Sequence, residues 1–310
     1  MLRNEKILLT GASGTLGSMI ARALAPHNEV WGLARYSDPT AVEAAKGMGI
    51  TPVAVDLEQP DFSKVPQDFT RLLHFAHTRR GAEAFPESIQ INAVGPGLLM
   101  QHCRSVTSAL IVSSTAVYTP LEDVWHRLDE RDPTGGAFAP WAPTSPVSKV
   151  SLEATARLAA EAFGIRTTIA RLNATYGPGR GMKGGGMPIA DMEAVASGDV
   201  VRTFADPYPH SPIHYADMVD QLEALLDAAS VPATVVNWCG DEVVTQRQWC
   251  ELAASLSGQT ARIEVHPIPG APCGNSADPT RRQAITGPCK HLFEPSFKEL
   301  YEAFVADPAA

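Results

Sequence analysis

One segment constrains the fold of this chain more than any other. It is Ile7-Leu8-Leu9-Thr10-Gly11-Ala12-Ser13-Gly14-Thr15-Leu16-Gly17. An apolar run of strand character leads into three glycines at three-residue spacing. A helical pattern follows, with Leu16, Ile20, Ala23 and Leu24 on one face. A strand that turns this sharply into a helix needs Gly11 for the turn. Gly14 leaves the backbone bare for a pyrophosphate, and Gly17 lets the helix pack closely on the sheet, with the helix N-terminus facing the anion. The spacing therefore predicts a dinucleotide site, with Ser13, Thr15 and Leu16 completing the turn.

The chain around the turn repeats strand and helix. Short apolar runs at Lys6–Leu9, Glu29–Leu33, Thr51–Val55, Arg71–Phe75, Ala109–Ser113 and Arg166–Arg171 read as strands covered on both faces. Lys149–Phe163 carries Leu152, Ala156, Ala159, Ala160 and Phe163 on one helical face. Such alternation predicts an α/β fold, a Rossmann-type doubly wound parallel sheet with a smaller C-terminal substrate-binding lobe. We place the dinucleotide-binding domain at 1–172 and the lobe at 173–310, with about 213–240 returning to the first domain.

Beyond residue 172, helices are expected at Tyr215–Ala229 and about Phe293–Ala306, with a strand at Val235–Trp238 between them. Thr245 and Gln248 form a capping-box pattern. The Gly/Pro-rich stretch Gly177–Pro188 reads as a loop between lobes, in which Arg180 and Lys183 could meet an anionic substrate or solvent.

Composition removes several alternatives. With 310 residues, 45% apolar and 19% charged, the chain is an ordinary globular one. Its net charge of −9 disfavours nucleic acid or an anionic membrane as partner. No apolar run is long enough to span a bilayer, and the N-terminus lacks signal-peptide features. Five scattered cysteines without a C-x-x-C pair, and no H-E-x-x-H, suggest neither a disulfide framework nor a metal site. The expectation is a cytoplasmic enzyme with a small-molecule substrate.

At the end of the second strand, Leu33-Ala34-Arg35 offers no carboxylate for an adenosine 2′-hydroxyl. Arg35 instead offers the cationic fork that a 2′-phosphate needs, which favours NADP over NAD.

Further motifs follow in order: Asp56-Leu57, Leu73-His74-Phe75-Ala76-His77, Asn92-Ala93-Val94-Gly95, Val112-Ser113-Ser114-Thr115-Ala116-Val117-Tyr118 and Ser148-Lys149. Arg171-Leu172-Asn173-Ala174-Thr175-Tyr176-Gly177-Pro178-Gly179 and Ser211-Pro212-Ile213-His214-Tyr215-Ala216-Asp217 complete the series. With the glycine turn, this series resembles the extended short-chain dehydrogenase/reductase family of NAD(P)-dependent epimerases, dehydratases and reductases. The resemblance implies that Asp56, Leu57, Ala76, His77, Leu172 and Ala174 line the cofactor. It implies that Lys149 binds the nicotinamide ribose and lowers a phenol's pKa. Ser114 would hold a substrate oxygen, Asn173 and Tyr176 would face substrate, and Ile213–Asp217 would be a structural marker. Thr115-Ala116 stands where 4,6-dehydratases of this family carry Asp-Glu, which disfavours that reaction. A homodimer through helices near Pro96–Cys103 and Lys149–Phe163 is also implied.

One departure matters. The family's acid/base is a Tyr four residues before the Lys, and Ser145 stands there; shifting the alignment by two residues offers Val147 instead. Serine cannot be ionised as a phenol can, and it is shorter. Ser145-Pro146 also reads as an N-cap followed by a proline at the first helical position. Three readings stay open. Another group could supply the proton, from Ser114, His77, Tyr176 or a tyrosine or histidine of the loop Tyr208–His210. The substrate could need no strong acid. Or the chain could hold NADP as a sensor, or run a non-redox lyase or isomerase reaction.

Overall fold

A computed structural model describes residues 2–139, 142–178 and 186–306. It resolves into two compact units. The first comprises Met1–Ser114, Pro140–Ala170 and Val219–Val236; the second comprises Thr115–Ala139, Arg171–Met218 and Asn237–Ala310.

The first unit is built on the predicted sheet. Its strands are β1 (Lys6–Thr10), β2 (Glu29–Ala34), β3 (Thr51–Ala54), β4 (Arg71–His74) and β5 (Ser108–Ser114), with β6 (Thr167–Leu172) and a last strand, Thr234–Trp238, each of whose final two residues belongs to the second unit. The order across the sheet is Thr234–Trp238, β6, β5, β4, β1, β2, β3. β1 pairs in parallel with both β2 and β4, β2 with β3, and β4 with β5. The winding reverses between β1 and β4, which opens a crevice at their carboxyl ends. α1 (Thr15–Leu24), α2 (Pro39–Gly47), α3 (Phe85–Ile89), α4 (Gly95–His102) and α5 (Ser145–Phe163) make the crossovers. The fully buried strand interiors, such as Ile7, Leu8 and Leu9, explain why these segments read as apolar throughout.

α1 spans the predicted apolar face from Leu16 to Leu24, and the first unit's core includes Leu152, Ala156 and Ala159 from α5. α5 begins at Ser145, with Thr144 at the N-cap, so Ser145 is the first helical residue and not the cap. The sequence reading is corrected by one position. Thr144 makes no side-chain cap bond; its hydroxyl donates to the Arg80 carbonyl at 3.0 Å.

The second unit mixes short strand pairs with helices. Thr175–Tyr176 pairs with Ile213–His214, Pro209–His210 with Val244–Thr245, and Val200–Thr203 with Arg262–Val265. Tyr208–His210 is thus buried chain entering a strand, not a loop. α6 (Met187–Ala196) precedes α7 (Tyr215–Asp227), the helix expected from Tyr215 onwards. α6 packs on α8 (Gln246–Ser257), whose capping box forms as expected from Thr245 and Gln248. Among the described residues, no helix is long and apolar enough to cross a membrane, and no cluster of His, Cys, Asp or Glu could hold a metal ion.

Candidate active site

The glycine turn has the conformation that its sequence demands. Gly11 has φ +74°, and a Cβ on it would stand 2.9 Å from the Ala76 nitrogen. A Cβ on Gly17 would overlap the Gly11 carbonyl oxygen, so only glycine lets α1 begin this close to β1. Ser13 and Gly14 are exposed at the crest of the turn. Gly14 is the N-cap of α1 and supplies no side-chain cap, so the first-turn N–H groups lack that partner. This is a cradle that side chains would fill and a dipole that favours an anion; the residues fit a dinucleotide pyrophosphate.

Thr10 ties the turn to the end of β4. Its hydroxyl accepts the N–H groups of Phe75 at 3.2 Å and Ala76 at 3.1 Å. With both acceptor positions used, its one hydrogen points to His74 Nδ1, 2.8 Å away. Burial, with the Lys149 charge adding to it, holds His74 down to about 3, so it is neutral.

Lys149 is buried on α5 and donates to the Val112 carbonyl at 2.6 Å. Burial, aided by the Arg79 charge and opposed by Glu153, pulls its ammonium down to about 7. Glu153 lies one turn further along α5 and accepts the Ser113 hydroxyl at 2.7 Å. The i, i+4 spacing of Lys149 and Glu153 is plain in the sequence, yet the reading overlooked Glu153. Ser114 ends β5 two residues after the carbonyl that Lys149 grips.

Ser145 does not cap its helix. Its Oγ lies 2.8 Å from His77 Nε2, on the chain that follows β4. His77 is half-buried, and burial with the Lys149 charge holds it well below the ordinary imidazole range. Asn92, fully buried in a π-helical turn before α4, fixes this chain: it accepts the Thr78 N–H at 2.8 Å and donates to the Thr78 carbonyl at 2.9 Å. The same amide donates to the Ser148 hydroxyl at 3.0 Å, which donates to the Ser145 carbonyl.

The remaining candidates fall into two sets. Arg35 is exposed directly after β2, with Ala34 as the last strand residue. Asp56 is exposed and its carboxylate accepts the Glu58 N–H at 3.0 Å. Leu57 sends its side chain into the core, leaving only its backbone for a ligand. Leu172, Asn173, Ala174 and Tyr176 belong to the second unit.

Asn173 is wholly engaged. Its amide donates to Thr115 Oγ1 and the Asn275 carbonyl, and its carbonyl oxygen accepts the N–H groups of Ala174 and Ser211. It therefore pins chain segments together and has no amide hydrogen left for substrate. Tyr176 is buried against His214 and Phe293, and burial pushes its phenol far above the ordinary range. Tyr208 and His210 are buried as well. None of these three is poised to exchange a proton with a ligand. Arg180 and Lys183 lie outside the described residues.

Comparison with known proteins agrees with this geometry. The model of the NAD dependent epimerase/dehydratase family matches residues 7–237. The chain belongs to this family. Its fold is shared with a UDP-glucuronic acid 4-epimerase from Bacillus cereus, solved with UDP-glucuronic acid and NAD, at TM-score 0.80 and 19% identity over 97% of this chain and 99% of that one. A UDP-glucose 4-epimerase from Thermus thermophilus, solved with NAD, gives TM-score 0.79 and 22% identity, with the same shares covered. A UDP-N-acetylglucosamine 4-epimerase from Methanobrevibacter ruminantium gives TM-score 0.80 and 19% identity over 98% of this chain and 99% of that one. No curated protein matches the sequence. This family member therefore has the architecture of an NAD-dependent epimerase-like enzyme.

Proposed function

We propose that the chain is a cytoplasmic NADP-dependent oxidoreductase or epimerase-like enzyme that acts on a polar alcohol or carbonyl, of the kind a sugar nucleotide carries. The observation that carries this reading is Lys149, a buried ammonium gripping the Val112 carbonyl within the unit that holds the glycine turn. A lysine buried without function costs several kcal/mol in desolvation. Its retention here suits a cation that orients a ribose hydroxyl.

The chain's own residues would divide the work. The turn Gly11–Gly17 with the start of α1 would hold the pyrophosphate, and Asp56 the adenine amino group. Arg35 would pair with a 2′-phosphate; no described carboxylate pairs with it. The solved relatives hold NAD, so the NADP preference rests on Arg35 and on the missing acidic residue at Ala34. Ser114 would orient the reacting oxygen and Lys149 the nicotinamide ribose. Once bound, the nicotinamide gives or takes a hydride.

The exposed apolar residues Val94, Leu98, Val147 and Leu158, on or beside α4 and α5, support a homodimer through these helices. Serine at the phenol position favours a second reading, a sensor that holds NADP without turnover.

Turnover separates the two. Purified chain is incubated with NADP and UDP-glucose, UDP-glucuronic acid or UDP-N-acetylglucosamine, and with NADPH and small polar carbonyls. Epimerised sugar or altered cofactor absorbance, abolished by Lys149→Met, supports the enzyme. Tight binding without either across the panel supports the sensor.

A further inference from the structure

Resting on the oxidoreductase reading above, we infer that Ser145 and His77 together form the proton-exchanging group of this enzyme. Ser145 Oγ would meet the substrate oxygen, with His77 Nε2 2.8 Å away on its other side.

Three structural features carry this inference. The Ser145 hydroxyl is released from the usual duty of a serine at a helix start: Thr144 is the N-cap, and no cap bond comes from Ser145. The imidazole is held, because Thr10 grips the N–H groups of Phe75 and Ala76 and Asn92 grips both backbone groups of Thr78. Asn92 also reaches Ser148, which donates to the Ser145 carbonyl, so both partners hang on one hydrogen-bonded frame. Finally, His77 Nε2 is taken by Ser145 and its Nδ1 is buried with no partner among the described residues. Ser145 Oγ is therefore the ring's one hydroxyl partner among the described residues, the group through which a ligand proton would reach it.

The charges around the ring favour its neutral form. Arg79 on the same loop is cationic, Lys149 on α5 adds its charge below about pH 7, and His74 at the end of β4 is neutral; the Asn92 side chain opposes them and favours the protonated ring. A neutral imidazole receives the Ser145 proton, which lets serine accept the substrate proton without becoming a free alkoxide. In alcohol oxidation the substrate O–H breaks as Ser145 Oγ–H forms, and the former Ser145 O–H breaks as His77 Nε2–H forms. The carbinol C–H breaks as C=O forms, its hydride being taken by the nicotinamide that the glycine turn would hold, and the imidazolium returns its proton in the reverse direction. Beside a cation that imidazolium is a strong acid, which suits it to protonate a carbonyl reduction product.

The first test needs no substrate. Nitrogen-resolved NMR of full-length protein at pH 8 reports the His77 tautomer, with His77→Gln supplying the assignment. The expected form carries its proton on Nδ1 and accepts at Nε2, and Ser145→Ala shifts the Nε2 resonance. A proton on Nε2, donated to serine, overturns the inference.

The second test uses kcat at saturating NADP with whichever UDP-sugar the wild type turns over. His77→Gln and Ser145→Ala are expected to lower kcat on the order of a hundredfold or more. The double variant His77→Ala/Ser145→Tyr, which restores the phenol, is expected to recover activity with a pH profile set by the phenol instead of the imidazole. Single variants within threefold of wild type, in an enzyme that binds and turns over, overturn the pair while sparing the proposed function. A wild type that fails to turn over removes the proposed function, and the tautomer result still decides the pair. Labelling of Ser145 by a fluorophosphonate would mark a nucleophilic serine and also overturn it.

Discussion

The carbonyl oxygen of Gly11 occupies the space into which a Cβ on Gly17 would project. A side chain at Gly17 would have to push the first turn of α1 off β1, whereas one at Gly14 would point from an exposed crest, with the Gly11 oxygen at 3.3 Å. The two glycines therefore fail differently. Gly17→Ala is expected to destabilise the chain by about 1–3 kcal/mol, read from urea denaturation. Gly14→Ala, whose extended backbone suits alanine, is expected to cost under about 0.5 kcal/mol and yet weaken NADPH binding tenfold or more. Equal stability losses would mean that Gly14 serves packing rather than a ligand.

The depressed pKa of Lys149 also makes a stability prediction. Folded Lys149 titrates at about 7, against 10.5 for a free side chain. Between these values the unfolded chain holds a proton that the folded chain has given up. Stability from this group thus rises with pH from about 7 towards 10.5, and its full penalty is present below 7. Urea midpoints measured from pH 7.5 to pH 9.5 should climb more in the wild type than in Lys149→Met. Parallel curves for the two proteins would show that the burial penalty is not expressed.

Asn92 binds Thr78 twice and Ser148 once from a fully buried position. Asn92→Ala would leave those groups without their partner, and a loss of about 2 kcal/mol or more is expected. Hydrogen exchange should rise at residues 75–80 before it rises in the sheet. Uniform acceleration would mean that Asn92 supports the fold at large rather than this loop.

Much of the first unit was legible because its signals are local. Strand interiors such as Leu8 and Leu9 are apolar on both faces. Glycine spacing fixes the turn, and the capping box at Thr245 and Gln248 is written within four residues. The helix starting at Ser145 was misread by one position, because Thr144, Ser145 and Pro146 fit either frame and the choice depends on where each hydroxyl goes. Contacts distant in sequence decided that, and no local pattern encodes the 68-residue separation between His77 and Ser145. Asn173 and Tyr176 illustrate the same limit. Their motif is readable, but the four partners of Asn173 and the aromatic packing of Tyr176 come from segments as far away as Asn275 and Phe293. In the sheet, by contrast, Arg71, which opens β4, pairs with residues of both neighbouring strands, Ile7 and Ser108.

The most direct measurement is a calorimetric titration of the purified chain with NADPH and with NADH. One site is expected for both. A charge-assisted contact to the 2′-phosphate contributes about 1.5–3 kcal/mol, so NADPH should bind at least tenfold more tightly. Arg35→Ala should erase that preference while leaving NADH affinity in place. Binding of neither dinucleotide would mean that the turn Gly11–Gly17 is no cofactor site and would remove the proposed function.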